Sequence, residues 1–255
     1  MKSAIRFCPP EERSAAAHLF AGWEETMIWS CLQGVMGDMY VRGEVPVSAA
    51  IILNDFCFLA GEPDPELLLV EPERAYITLV ADHAAWHPVI EETLGEAAHR
   101  RCRYAIKKEP DCFDTARLTA FLESLPATYR LEKIDERLYI QCRETPWCRD
   151  FIQAYPTWEA YDRLGIGYVV TENGVIVAGA SSYSRYREGI EIEIDTRADH
   201  RQKGLATVTA SALILECLRL GLYPSWDAHN PISVKLAEKL GYTFSHEYPV
   251  YEVYR

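Results

Sequence analysis

Asp195-Thr196-Arg197-Ala198-Asp199-His200-Arg201-Gln202-Lys203-Gly204-Leu205-Ala206 decides the fold. A strand over Gly189–Thr196 leads into it, with Glu191, Glu193 and Asp195 alternating so that all three side chains share one face. The short loop then opens a long apolar helix predicted over residues 204–220 and ended by Gly221. The first amides of such a helix have no intrahelical acceptors, and its macrodipole adds partial positive charge there. Gly204 lets a ligand approach the backbone, and Arg201 and Lys203 add fixed charge. The combination is a cradle for a pyrophosphate.

Working outward, residues 165–171 and 175–184 read as strands antiparallel to each other and to Gly189–Thr196. Asn173-Gly174 suits a primed hairpin turn between the first two. Residues 223–227 form a further strand. Asn230 caps a helix over Pro231–Leu240, with Pro231 at its first position and Gly241 beyond its end. Residues 242–254 close the chain as a strand.

Upstream, the pattern predicts a helix over 11–34, a three-strand meander over 38–42, 47–53 and 55–60, and a strand over 75–80. A helix over 88–94, a strand over 100–107 and a helix over 114–125 capped by Asp114 follow. Residues 127–136 read as the division between halves, 138–142 as a strand, and 146–164 as one or two helices. The fold class is therefore α+β, or mixed α/β. The expected domains are 1–130, an α/β half, and 131–255, the half that carries the cradle.

The cradle fits neither a Walker A string nor a Rossmann fingerprint, both of which are absent. Arg201-Gln202-Lys203-Gly204-Leu205-Ala206 instead resembles the R-x-x-G-x-[GA] acetyl-CoA motif of the GNAT superfamily of N-acetyltransferases. Asn230-Pro231-Ile232-Ser233 and Leu236-Ala237-Glu238-Lys239-Leu240-Gly241-Tyr242 are similar to its second signature. The resemblance covers roughly residues 136–255 and extends to a two-half branch that includes zwittermicin-resistance-like acetyltransferases.

The resemblance implies acetyl-CoA as co-substrate, with its pantetheine arm between two splayed strands, Gly189–Thr196 and residues 223–227. Contacts fall on the backbone of Ile194, Asp195 and Thr196, on the loop Arg201, Gln202, Lys203, Gly204, Leu205 and Ala206, and on Asn230 and Ser233. An amine must lose a proton before it attacks a thioester, and a carboxylate is the usual acceptor. Glu193 is the expected base and Glu191 the runner-up. A solvated strand face would explain the same carboxylates. Ala237 stands where many members carry a Tyr that protonates the leaving thiolate, so another group, such as Ser233, serves or the thiolate leaves unassisted. The N-terminal half could be a degenerate copy of the same fold that supplies one wall of the acceptor pocket.

The formal charge of -12 argues against nucleic acid and anionic membranes as partners. It agrees with a cationic small-molecule amine, and equally with plain solubility. Eight cysteines include no C-x-x-C pair, and the spacing suggests no metal. The absence of an apolar leader in the first ten residues points to the cytoplasm, with free thiols. The sequence allows a homodimer. Two alternatives to acetyl transfer remain: transfer of another acyl group, and a non-catalytic acyl-CoA-binding sensor.

Overall fold

Tight turns with positive φ set the strand framework. Asn54 (φ 51°) turns one hairpin, and Asn173 (52°) with Gly174 (80°) turns another through the primed geometry that matches strand twist. The computed structural model describes residues 4–71 and 73–255. They divide into two compact units: Met1–Arg103 with Glu247–Arg255, and Tyr104–His246.

The first unit contains β1 (Ile5–Phe7), α1 (Thr26–Leu32), β2 (Asp38–Arg42), β3 (Ser48–Leu53), β4 (Phe56–Gly61), β5 (Tyr76–Ala81) and α2 (Trp86–Leu94). β6 (Ala98–Ile106) begins in it. β1 to β4 pair antiparallel in succession, and β5 lies parallel to β4. The second unit holds α3 (Thr115–Glu123), β7 (Tyr129–Lys133), α4 (Glu136–Glu144), α5 (Trp158–Leu164), β8 (Gly167–Glu172), β9 (Val175–Tyr186) and β10 (Gly189–Thr196). It continues through α6 (Leu205–Arg219), β11 (Tyr223–Ser225), β12 (Asp227–Ala228) and α7 (Pro231–Leu240). The last strand, β13 (Phe244–Tyr254), starts in the second unit, and its end pairs antiparallel with β5 in the first. The second sheet runs β11-β10-β9-β8-β7, antiparallel except for the parallel pair β10–β11.

The two units repeat one strand pattern. In each, three antiparallel strands are followed by a strand parallel to the third. They differ in the connection: fifteen residues of helix, α6, join β10 to β11, whereas among the described residues between β4 and β5 the chain forms a short 3-10 segment, Pro65–Leu69.

Four expectations are corrected. The helix over 11–34 is two pieces, a 3-10 segment Pro10–Phe20 and α1, because the chain turns at Gly22 with φ 85°. Residues 138–142 are helical. Asp135 caps α4 by accepting the Leu138 N–H at 2.9 Å, and burial of Leu138, Tyr139 and Cys142 follows helical spacing while Ile140 is exposed. Residues 127–136 do not divide the units: β7, within them, pairs with β8, and the first unit's N-terminal stretch ends at Arg103. α3 belongs with the second unit because Leu118 is buried against Leu213, Ile214 and Leu240 in its core. Finally, residues 223–227 break at Trp226 into β11 and β12.

Gly189 sits where β10 meets β11, and a Cβ there would lie 2.2 Å from the Tyr223 carbonyl oxygen. Gly189→Ala is therefore expected to destabilise the fold by about 2 kcal/mol, the scale of forced overpacking. Chemical denaturation measures it; an unchanged midpoint would mean that β11 can shift freely.

Candidate active site

The opening between β10 and β11 is built by register. The parallel pairing joins Gly189 to Tyr223, Ile190 to Pro224 and Glu191 to Ser225, and then stops. β12 pairs instead with Ala105 and Tyr104 at the end of β6. From Ile192 to Thr196, β10 keeps β9 on one side and, among the described residues, has no strand on the other.

Trp226 stands at the point of divergence. Its ring is 3 % exposed and packs edge-on against Tyr242, 5.5 Å between centroids. Its indole Nε1 donates to Ser233 Oγ at 3.0 Å. Tyr242 in turn donates its hydroxyl to the Pro224 carbonyl at 2.6 Å.

Along β10, Ile190 and Ile192 are buried in the core against α6, with Ile194 packed beside them. Glu191, Glu193 and Asp195 therefore face the other side. Glu191 is 6 % exposed and lies between Ser184 on β9 and Ser225 on β11. Glu193 is half-buried opposite Ser181, and Asp195 half-buried opposite Gly179. Between Glu191 and Ile192 the register on β9 jumps from Ser184 to Ser182, so Tyr183 is an extra residue at the level where β11 departs. Burial first, then the charge of Glu191, pushes the Tyr186 phenol up, so that hydroxyl stays protonated.

The cradle follows β10. Gln202 (φ 62°) and Gly204 (φ 79°) are left-handed, and Arg201 through Gly204 are exposed. Val208 is the first residue of the helix whose N–H reaches back to Gly204, at 3.2 Å; the amides before it point out of the helix end. Arg201 Nε donates to the Thr196 carbonyl at 3.1 Å, and its guanidinium lies 3.6 Å from Asp195. The side chain of Leu205 is buried among Val170, Val177, Ala178 and Val208, so only its backbone faces the opening.

At α7, Asn230 Oδ1 accepts from the N–H groups of Ile232 (2.9 Å) and Ser233 (3.0 Å). That oxygen is occupied by the cap. Ser233 Oγ accepts from Trp226, which leaves its own proton to donate. Ala237 is fully buried in the α6–α7 core. The Ser-rich run Ser181-Ser182-Tyr183-Ser184 and the anchoring role of Trp226 were missed by sequence reasoning. A run of serines inside an apolar strand was the available signal.

Among the described residues, no group of three His, Cys, Asp or Glu side chains could hold a metal ion, and no helix is long and apolar enough to cross a membrane.

The profile of the family described as GNAT acetyltransferase matches residues 17–251. The chain belongs to that family. A GCN5-related N-acetyltransferase-like protein from Streptococcus suis 89/1591 is 44 % identical, with 96 % of this chain and 99 % of that one aligned at a TM-score of 0.92. A tandem GNAT protein from the clavulanic acid biosynthesis pathway shares the GNAT fold across 98 % of both chains, at 12 % identity and TM-score 0.52. An uncharacterized N-acetyltransferase of Bacillus subtilis (strain 168), YdfB, is 27 % identical over 179 residues, 68 % of this chain and just under two thirds, 65 %, of its own length.

Ser233→Ala would leave the buried Trp226 N–H without its acceptor, a loss of about 1–3 kcal/mol. Chemical denaturation is expected to show it; wild-type stability would mean that Trp226 is held by packing alone.

Proposed function

We propose that this GNAT chain transfers the acetyl group of acetyl-CoA to the amine of a small molecule. The observation that carries the reading is the edge of β10 from Ile192 to Thr196, without a strand partner on one side among the described residues and one loop before the exposed N-terminus of α6.

The residues fit the group. Nothing lies within 4 Å of a Cβ built on Gly204, so the helix end is open to a phosphate. The donor set is the first amides of α6 with the cations of Arg201 and Lys203, the chemistry a pyrophosphate requires. Thr196 Oγ1, where the edge meets the loop, is buried with no hydrogen-bond partner among the described residues. Bound acetyl-CoA would supply an activated thioester carbonyl.

The chain's own residues do the rest. The backbone of Ile194, Asp195 and Thr196 offers hydrogen bonds to an extended arm. Gln202, Lys203 and Gly204 present backbone at the phosphates, with Leu205 and Ala206 contributing amides. Glu193, on the open stretch of β10 and half-buried, takes the proton from the acceptor nitrogen, directly or through water. Glu191 lies deeper on the same face, beside Ser225. That face, with the net charge of -12, suits a cationic amine. Ser233 and the remaining amide of Asn230 stand at the start of α7 as donors. The reading extends to a cytoplasmic location.

The burial of Ala237 favours a second reading, acyl-CoA binding without turnover, because no tyrosine hydroxyl serves a leaving thiolate from that position. Release of coenzyme A thiol against a panel of amines separates the two. Turnover is expected with at least one amine, and Glu193→Gln should lower it by about a hundredfold while leaving acetyl-CoA affinity intact. Gly204→Val, which puts a β-branched residue at φ 79°, should abolish binding measured by calorimetry. Saturable binding with no turnover on any amine would favour the second reading. Unchanged affinity in Gly204→Val would contradict both.

A further inference from the structure

The loop between β10 and α6 contains one side chain that neither the strand nor the helix requires. His200 is 5 % exposed although its neighbours Asp199 and Arg201 are exposed. Each ring nitrogen meets a carboxylate: Nε2 lies 3.1 Å from Glu172 Oε2 at the end of β8, and Nδ1 lies 2.8 Å from Asp199 Oδ1. Arg197 donates to both oxygens of Asp199, at 2.7 and 3.0 Å, and approaches His200 Nδ1 at 3.2 Å. The Arg197 guanidinium first, then His200, holds the Asp199 carboxyl well below the usual carboxylate range. The ring also meets Tyr129 of β7 edge-on, 6.1 Å between centroids at 79°. The hydroxyl of Tyr129 accepts from Lys203 Nζ at 3.4 Å.

The chain of contacts runs from the β8–β9 hairpin through His200 to Tyr129 and ends on a cation of the cradle. Surface ion pairs contribute little to stability. A buried ring that ties three elements together restricts a loop which must otherwise be ordered on binding. The loop needs that restraint: Gln202, two residues on, is a non-glycine residue in the left-handed region, a conformation that persists only when its surroundings enforce it.

We propose that His200, with Glu172 and Tyr129, is a positioning residue for the pyrophosphate cradle, fixing the loop from Arg201 to Gly204 and the ammonium of Lys203 before the ligand arrives. This rests on the acetyl-CoA reading above and adds the part of the ligand on which His200 acts. It acts on the diphosphate and leaves the thioester end alone.

S-acetylpantetheine, which has the thioester arm but no diphosphate, separates this from a general folding role. In His200→Ala, Kd for acetyl-CoA by calorimetry is expected to rise about tenfold, the cost of ordering a loop that was pre-organised. At the same time kcat at saturating acetyl-CoA should stay within about twofold and KM for S-acetylpantetheine should not move. Tyr129→Phe removes only the hydroxyl that holds Lys203 and should raise Kd by about threefold; it keeps the test decisive if His200→Ala fails to fold. Equal losses for both ligands, or wild-type Kd in the variants, would overturn the proposal. Wild-type protein that binds no acetyl-CoA would overturn the function it rests on, and this inference with it.

Discussion

The site depends on the end of one parallel strand pair. β10 and β11 share three residues of register and separate after Glu191 and Ser225 because the next residue, Trp226, turns into the core. An indole of that size buries a large apolar surface and needs a partner for its N–H. Tyr242 supplies the edge contact and Ser233 the acceptor. With Trp226 fixed, β12 is committed to β6, and the far side of β10 is left as an unpaired edge. Unpaired edges are normally covered or blunted; this one leads to a helix N-terminus carrying Arg201 and Lys203. Strand geometry thus places an open strand edge near a helix N-terminus that carries two cations, Arg201 and Lys203.

The first unit shows what the strand pattern does without that device. It repeats the meander and the parallel fourth strand, and β4 and β5 pair over four residues, Phe56 to Leu59 against Thr78 to Ala81. Among the described residues, the connection between β4 and β5 holds a short 3-10 segment in place of a long helix. Its polar investment is structural. Arg13, 3 % exposed, donates to the carbonyls of Cys31 and Gly37 at 2.7 and 3.0 Å, and Arg42 pairs with Asp64 in a buried ion pair. A copy of the strand pattern without the long crossover helix is the economical description of this unit.

Much of the second unit was legible because local rules and tertiary demands agree there. Asn173-Gly174, the Asn230 cap with Pro231, and Gly241 at φ 115° each have one low-energy backbone choice. The alternation of isoleucine and carboxylate fixed the faces of β10 without reference to its neighbours. The segment at 138–142 was misread because Leu138, Ile140 and Cys142 also fit a period of two; the Asp135 cap was the better signal. The division of the chain was illegible for a different reason. β6 and β13 each begin in one unit and end in the other, and no turn or composition shift marks where a continuous strand changes core. The splay itself lies in the pairing register, which depends on contacts with β6 that are distant in sequence. The Trp226–Ser233 bond and the His200 cluster are likewise products of tertiary packing.

Hydrogen exchange on the amides of residues 192–196 and 202–207, with and without saturating acetyl-CoA, tests most directly whether the bare edge and the helix end form one ligand site. Exchange reports which backbone N–H groups gain a partner. The account predicts slowing in both segments together, by about tenfold or more, since a hydrogen-bonded amide exchanges only on opening. Protection confined to other parts of the chain, or saturable binding that leaves both segments exchanging as before, would contradict it.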